Sequence, residues 1–289
     1  MTATTVLQEL GWALNIGKTE GPAQELTFLG VQINSVNQTL SLPRSRVEAY
    51  IKSLDDLLES SLQGVSAHQL LSMAGKLQWL SSVFLPGRTH LVDFYRHAHY
   101  MESHRRFHGP LPPNLRTELL WWKGQLEYLF STYDTKPWSR FWLQCVPTPI
   151  QLFSDASGED NPSGAAAPPA LGRNGFGAVC QGVVYQGVWK NLTHKTSGYA
   201  ELVPLLLVLQ HQGKSMANSI LLVTTDNLGN AFAINRGVSN SHSTMGIMKE
   251  IQELALSLNI GLVAQWIPRE LNTFCDDLSK WAPSVSVSM

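Results

Sequence analysis

The sequence predicts a chain of two parts: a mostly helical region with a small β-hairpin, followed by an α/β region built on a mixed five-stranded sheet. In the first part, apolar residues recur mainly at helical spacing on several successive segments. In the second part, three short strands follow one another, and strands then alternate with helices. Pro147 and Pro149 mark the change. We therefore expect domains at 1–147 and 148–284, with a short tail at 285–289.

The first part is predicted to begin with a helix over Thr5 to Asn15. A strand over Leu26 to Ile33 is then expected to pair with a second strand, Thr39 to Leu42. Further apolar stripes predict helices, the second of them capped by Ser66. These predicted helices are Arg44 to Ser60, Ser66 to about Leu80, His90 to Tyr100 and Leu115 to Phe130.

The second part opens with three predicted strands that form an antiparallel meander, and the Gly/Ala/Pro-rich stretch 158–174 is predicted to be a long loop. Thr196 or Ser197 caps a helix that is apolar on nearly every side, and the continuous apolar run before Asp226 is typical of a central parallel strand. The predicted strands are Ile150 to Ala156, Gly175 to Gln181, Val183 to Trp189, Ser219 to Thr225 and Ile260 to Ile267. The predicted helices end near Gln212, Asn235, Asn259 and Trp281.

Composition describes an ordinary globular chain: 289 residues, 44% hydrophobic, 15% charged and a formal net charge of −1. Bulk charge therefore does not indicate a nucleic-acid binder. Three cysteines without CxxC spacing argue against a disulfide framework or a zinc site, and for a reducing compartment. No apolar run reaches membrane-spanning length. We expect a cytoplasmic or nuclear protein with no membrane partner.

Four acids fall at related places in the α/β part. Asp155 and Asp226 lie at the ends of two predicted strands, Glu201 near the start of the helix after the third strand, and Asp276 on the last helix. Carboxyl ends of parallel strands share one sheet edge, so the acids are expected to meet there. Clustered carboxylates suit hard cations such as Mg²⁺ or Mn²⁺, and two such ions can support phosphodiester hydrolysis. The structural alternatives are a helix cap for Asp226 and a helix-dipole partner for Glu201.

The motifs that contain these acids resemble those of ribonuclease H domains, in the same order along the chain. They are Phe153-Ser154-Asp155-Ala156-Ser157, Tyr199-Ala200-Glu201-Leu202, Thr225-Asp226-Asn227 and the segment from Asn272 to Lys280. The resemblance covers about residues 150–283 and implies a ribonuclease H-like fold. It also implies cleavage of the RNA strand of RNA·DNA hybrids, with two Mg²⁺ or Mn²⁺ ions as cofactors.

The same resemblance implies that all four acids are catalytic residues and metal ligands. Asp276 is preferred over its neighbour Asp277 because Asn272 lies four residues before it, which is the spacing in the family. Asp277 remains the alternative. The loop before Asp276 lacks the histidine that many ribonucleases H carry, so slower turnover is expected.

Three further residues are expected to contact the backbone or the 2′-hydroxyl groups of the substrate. They are Ser157, Thr196 and Asn227. In the first part, Arg105 and Arg106 lie in a cluster with histidines, which predicts either a patch that contacts phosphates or a solvated helix end. A metal site is not expected at these histidines, because no closed ligand set accompanies them.

A second resemblance, to retroelement reverse transcriptases and particularly the DIRS-like group, extends over nearly the whole chain. Leu10-Gly11-Trp12 and Phe28-Leu29-Gly30 are similar to the end of a polymerase palm and its primer-grip hairpin. Gly75-Lys76-Leu77, Pro86-Gly87-Arg88 and Leu120-Trp121-Trp122 are similar to the thumb and connection. The paired aspartates of a polymerase are absent from this sequence, so no DNA polymerase activity is expected from it alone.

Three hypotheses follow. The first is a hydrolase that acts on RNA·DNA hybrids. The second is a catalytically silent or host-adopted remnant that binds nucleic acid with little dependence on Mg²⁺. The third is a structural fragment that pairs with a polymerase chain or with the rest of a retroelement polyprotein, which an exposed apolar face over Val6 to Leu14 and Phe28 to Ile33 would support.

Overall fold

Residues 3–36, 39–106, 108–132, 140–141, 149–157, 175–188, 196–239 and 241–280 are described by the structure, a computed structural model. Its strand pairing confirms the predicted architecture: a mixed sheet of five strands follows a helical region with a small sheet. The predicted long loop at 158–174, the domain boundary at 147 and the tail at 285–289 lie outside the described residues, so they remain predictions.

The described helices agree with the prediction in number and order, although α1 is shorter than expected. No helix in these ranges is long and apolar enough to cross a membrane. The helices are α1 Ala3–Glu9, α2 Arg44–Ser60, α3 Ala67–Leu80, α4 Val92–Ser103, α5 Pro113–Ser131, α6 Ser197–Gln212, α7 Leu228–Arg236, α8 His242–Ser257 and α9 Thr273–Lys280. The strands are β1 Glu25–Phe28, β2 Val31–Asn34, β3 Thr39–Ser41, β4 Arg140–Phe141, β5 Ile150–Ser157, β6 Gly175–Cys180, β7 Val183–Val188, β8 Ile220–Thr225 and β9 Gly261–Trp266.

The prediction of one strand over Leu26 to Ile33 is wrong, because this segment folds back on itself. β1 and β2 pair antiparallel, with Phe28 opposite Val31. The two residues between them, Leu29 and Gly30, have φ of 49° and 83°. Two successive positive φ angles produce the tight turn of a two-residue hairpin. β3 and β4 then extend the pair into a small sheet in the order β1-β2-β3-β4.

The helical region has its own core, formed by α2 to α5 around the fully buried Trp122. Ser66 caps α3 as predicted, and Gln69 completes a capping box. Gly87 lies against Trp122 so closely that a Cβ would come within 2.1 Å of the indole ring. The predicted break at Pro86-Gly87 is a 3₁₀ turn over Leu85–His90, which allows this close approach.

The larger sheet has the order β7-β6-β5-β8-β9. As predicted, β5, β6 and β7 form an antiparallel meander, and β8 and β9 continue the sheet in parallel. Helices cover both faces. Ala178 and Cys180 of β6 point into the core that contains the leucines of α6. The alternate residues Gly175 and Gly177 face α9 on the other side, where a Cβ on either would collide with its backbone.

The close packing at Gly177 predicts a large effect for a small substitution. In Gly177→Ala the new Cβ would lie 2.3 Å from Leu278 Cβ and 2.7 Å from the carbonyl oxygen of Cys275. We expect α9 to be displaced and the free energy of unfolding to fall by about 2–3 kcal/mol, measured by urea denaturation. Gly246→Ala is the matched control, because no atom lies within 4 Å of its new Cβ. If both variants have the stability of the parent, this account of α9 packing is wrong.

A buried polar network joins the helical region to α8. Glu118 of α5 is 7% exposed; its Oε2 lies 2.6 Å from His90 Nδ1, and its Oε1 accepts from Lys249 of α8. Lys249 Nζ is also 3.7 Å from Asp93 Oδ2. Leu256, further along α8, packs against the helical core. α8 therefore provides both ion-pair and apolar contacts between the two cores.

Candidate active site

Strand register brings Asp155 and Asp226 together. β5 and β8 run parallel, and their last paired residues are Phe153 and Thr224. Asp155 and Asp226 each follow that pair by two residues. Asp155 is 6% exposed. Burial raises the pKa of Asp155, and the negative charge of Asp226 raises it further.

Glu201 reaches this pair from α6. Burial raises its pKa to about 7, and the charges of Asp155 and Asp226 act in the same direction. Asn227 opposes the shift by donating from Nδ2 to Glu201 Oε1 at 3.0 Å. Glu201 is the fifth residue of α6 and so lies beyond the first helical turn. A simple helix-dipole role therefore does not account for its position.

Asp226 does not cap α7. The cap is Asn227, whose side chain accepts from the backbone N–H of Asn230 at 3.0 Å. The carbonyl of Asp226 accepts from the indole N–H of Trp266 at 2.9 Å. Its carboxylate is left beside Asp155 and Glu201, within reach of their charges.

Asp276 lies on the buried side of α9, 9% exposed, and its charge interacts with that of Asp155. Asp277 points outward and is exposed. Burial acts to raise the pKa of Asp276, but ion pairs with Lys280 and Arg269 outweigh it and the pKa is lowered. Arg269 Nη2 lies 2.6 Å from Oδ1, and Lys280 donates to Oδ2. The geometry thus favours Asp276 over Asp277 as the fourth acid of the cluster.

Two residues without a role in the sequence-based prediction hold the cluster together. Asn272, 2% exposed, donates from Nδ2 to the carbonyl of Ser154 at 3.0 Å and lies 3.4 Å from Asp226 Oδ1. Ser279, 1% exposed, donates to Asp155 Oδ2 at 3.1 Å. The sequence distinguishes Asn272 only by its spacing from Asp276, and Ser279 only as part of a motif. Both fasten α9 to β5.

The residues predicted to contact substrate are placed differently from one another. Asn227 touches the acidic cluster through Glu201. Thr196 caps α6 and lies 3.4 Å from Thr244 Oγ1. The Ser157 hydroxyl donates to the carbonyl of Ser279 at 2.7 Å and accepts from the N–H of Gly175, which gives it a structural use.

Arg105 and Arg106 follow α4 in the other region, where Arg106 stacks over Tyr100 at 5.4 Å. No hydrogen bond or ion pair of the described residues connects either arginine to the acidic cluster. Their role as phosphate contacts remains a prediction.

The donor chemistry of the cluster fits a hard divalent cation. Asp155, Asp226 and Glu201 supply only oxygen atoms, and the pKa values of Asp155 and Glu201 are raised first by burial and further by the charges of the neighbouring acids. In the side-chain positions of the described residues, no three His, Cys, Asp or Glu groups are close enough to hold one metal ion. Asp276 instead accepts from two basic side chains. Metal binding to all four acids requires the side chains of Arg269 and Lys280 to move.

The raised pKa of Glu201 predicts the pH dependence of stability without metal. The folded-state pKa is about 7 and the ordinary value is 4.5, so the stabilising effect of the proton is fully present below pH 4.5 and is lost as the pH rises through about 7. We expect Glu201→Gln to remove this loss, which amounts to as much as about 3 kcal/mol.

Urea denaturation in EDTA at pH 5 and pH 8 measures this difference. Glu250→Gln, at an exposed position of α8, is the control and is expected to follow the parent at both values. Equal pH dependence in the parent and in Glu201→Gln would show that Glu201 does not titrate in this range.

Comparisons with known proteins give matches only among solved structures. No model of a protein family matches the sequence, and no curated protein matches it. The N-terminal RNase H domain of a Mycobacterium tuberculosis protein is 19% identical, with a TM-score of 0.34, over 45% of this chain and 90% of that one. RNase H1 of Halobacterium salinarum is 14% identical, with a TM-score of 0.35, over 45% of this chain and 94% of that one. A foamy viral protease-reverse transcriptase in complex with RNA/DNA hybrid is 12% identical, with a TM-score of 0.32, over 88% and 52%.

Proposed function

We propose that this protein is a metal-dependent nuclease that cleaves the RNA strand of RNA·DNA hybrids and leaves 3′-hydroxyl and 5′-phosphate ends. The observation that carries the proposal is the meeting of Asp155, Glu201 and Asp226, from three different elements, at the carboxyl edge of the ribonuclease H-like sheet. Buried carboxylates at such an edge are costly unless a cation compensates them. The motif resemblance then favours this chemistry over a purely structural use of the acids.

In the proposed mechanism, Asp155, Asp226, Glu201 and Asp276 are the residues that would hold two Mg²⁺ ions. Such ions, when bound, would supply the chemistry of water activation and leaving-oxygen stabilisation. Neighbouring side chains keep the ligands in place: Ser279 holds Asp155, Asn227 holds Glu201 and Asn272 holds Asp226. Fixed ligands reduce the reorganisation that cation binding requires. Discrimination between RNA and DNA requires contacts to the 2′-hydroxyl, for which Asn227 and Thr196 are the candidates.

A cleavage assay tests the proposal. A hybrid with end-labelled RNA is incubated with the protein and Mg²⁺, and the products are separated on a denaturing gel. We expect RNA fragments from the hybrid and none from duplex RNA, with no reaction in EDTA. An intact hybrid under all conditions contradicts the proposal. Binding of hybrid that is unchanged by Mg²⁺, together with no cleavage, would instead support a silent nucleic-acid-binding remnant.

We also propose an origin in a retroelement reverse transcriptase, which the motifs of both regions support. A second function follows from one observation in the first region. Leu10, Trp12, Phe28 and Leu29 are all more than 60% exposed, and α1 buries no residue. A patch of such side chains would suit contact with another polypeptide.

For this second function the proposed partner is a polymerase chain. The test is binding of the protein to the palm domain of a DIRS-like reverse transcriptase, measured by sedimentation velocity. We expect the double variant Leu10→Ser, Trp12→Ser to weaken this binding without changing hybrid cleavage. Equal binding of the parent and the double variant rules out this surface.

A further inference from the structure

One cation interacts with the whole acidic cluster. Arg269 begins a short 3₁₀ turn, Arg269–Leu271, between β9 and α9. Its Nη2 lies 2.6 Å from Asp276 Oδ1. Its charge also interacts with the charges of Asp155, Asp226 and Glu201. Arg269 therefore acts as a counter-ion for all four acids.

Lys280 offers a comparison, because it pairs with the other oxygen of the same carboxylate. It lies one helical turn after Asp276 on α9, so its ion pair is local to that helix. Among the described residues, its only ion-pair partner is Asp276. Lys280 can thus keep Asp276 in place while Arg269 moves.

Arg269 is also placed so that its ion pair with Asp276 can break at little cost. Its side chain is 66% exposed, whereas that of Asp276 is 13% exposed. It lies in a loop turn that has no buried residue. A solvated guanidinium on such a turn loses little when its ion pair breaks. A divalent cation that binds Asp276 competes with Arg269 for the same carboxylate and repels its charge.

A phosphate of the bound nucleic acid is a second partner that the released guanidinium could contact. An arginine beside a phosphodiester-cleaving site can pair with a phosphate of the bound strand through two parallel N–H···O bonds. The carboxylates would repel that phosphate, and Arg269 is the exposed cation that interacts with all four of them.

We propose that Arg269 is a displaceable counter-ion of the acidic cluster: it pairs with Asp276 before metal binds, is released by the divalent cation, and then contacts a phosphate of the RNA·DNA hybrid. This inference rests on the proposed nuclease function and assigns Arg269 a positioning role within it. The exchange places the arginine on the substrate only after the cation has bound.

The first test is calorimetric titration of the full chain with Mn²⁺ in the absence of nucleic acid. Arg269→Gln removes the competing charge, so we expect it to bind Mn²⁺ roughly threefold to tenfold more tightly than the parent. Arg236→Gln is the matched control. It removes one positive charge from the same domain, but its guanidinium lies 5.0 Å over the Phe232 ring. We expect its Mn²⁺ affinity to equal that of the parent.

The second test is hybrid affinity as a function of salt concentration. With Ca²⁺ in place of Mg²⁺, and intact RNA verified on a gel, Arg269→Gln should bind the hybrid more weakly. The slope of log affinity against log salt concentration should become shallower by about 1, which corresponds to the loss of one phosphate contact. In EDTA, with Arg269 held by Asp276, the slopes of parent and variant should be equal.

The outcomes separate this inference from the nuclease proposal. If the parent binds Mn²⁺ and cleaves hybrid, but Arg269→Gln binds Mn²⁺ no more tightly, Arg269 does not compete with the metal and the inference is wrong. An equal loss of slope in Ca²⁺ and in EDTA shows a permanent phosphate contact, which also overturns it. If the parent itself binds no Mn²⁺ and leaves the hybrid intact, the nuclease proposal fails.

Discussion

Replacement of Asp155 by asparagine is expected to lower the rate of hybrid cleavage by roughly 10³-fold or more, an effect typical of central catalytic carboxylates. Asparagine keeps the shape of the side chain, and its amide oxygen can still accept from Ser279. What it removes is one negative charge from the cation ligands. Because burial already raises the pKa of Asp155, loss of that charge should not destabilise the metal-free fold.

Single-turnover cleavage with Mg²⁺ measures the rate, and urea denaturation in EDTA measures the fold. Asp277→Asn is the matched control, since Asp277 is exposed one residue away from Asp276. We expect it to retain the rate of the parent within about twofold. Undiminished cleavage by Asp155→Asn contradicts the proposed chemistry. Loss of cleavage in Asp277→Asn but not in Asp276→Asn would show that Asp277, rather than Asp276, is the fourth catalytic acid.

Much of the fold was predictable because its elements carry strong periodic signals. The buried run that becomes β8 and the apolar α6 are examples. The strand predicted over Leu26 to Ile33 fails for a local reason. A leucine at positive φ is uncommon, so the sequence does not identify Leu29-Gly30 as a hairpin turn, and the largely apolar run from Leu26 to Ile33 is typical of one strand. The pairing of β4 with β3 joins residues about one hundred positions apart, beyond the range of local patterns.

The acidic cluster was predictable for the same kind of reason. Strand ends and chain order are visible in sequence, and parallel strands bring Asp155 and Asp226 to one edge. The supporting contacts were not predictable. Ser279 and Asn272 matter because α9 lies directly on β5 and β6, and that depends on Gly175 and Gly177 having no side chain. The ion pairs of Arg269 and Lys280 depend on side-chain positions that no spacing rule specifies.

Glu118→Gln is expected to lower the free energy of unfolding by about 2–4 kcal/mol. The carboxylate accepts from His90 and from Lys249, and it is 7% exposed. Burial acts to raise the pKa of Glu118, but these two partners outweigh it and the pKa is lowered. The substitution leaves Lys249, whose side chain is only 25% exposed, with Asp93 as its remaining partner at 3.7 Å. The cost lies mainly in that poorly compensated charge.

Chemical denaturation at pH 7 measures the loss. Glu127→Gln on the same helix is the control, because Glu127 is 53% exposed and its one ion pair within the described part of the chain is with Lys123 at 3.6 Å. Its effect should stay below about 0.5 kcal/mol. A lowered carboxyl pKa stabilises the fold at pH values above the ordinary pKa of 4.5. The difference in free energy of unfolding between the parent and Glu118→Gln should therefore become smaller as the pH falls below 4.5. Equal effects of the two substitutions would mean that the network contributes nothing beyond a surface ion pair.

The same variant tests whether the two regions unfold together. Each region has its own core, and α8 joins them in part through Lys249 and Leu256. Gly237, which follows α7, also lies close to Arg88 of the helical region. Weakening the α8 connection should separate one unfolding transition into two, with the helical region and the α/β region followed by different tryptophans. The acidic cluster lies wholly in the α/β region, so the proposed function predicts that Glu118→Gln still cleaves hybrid wherever that region remains folded. A variant that loses stability but keeps a single transition would show that contacts other than the Glu118–Lys249 ion pair join the two cores.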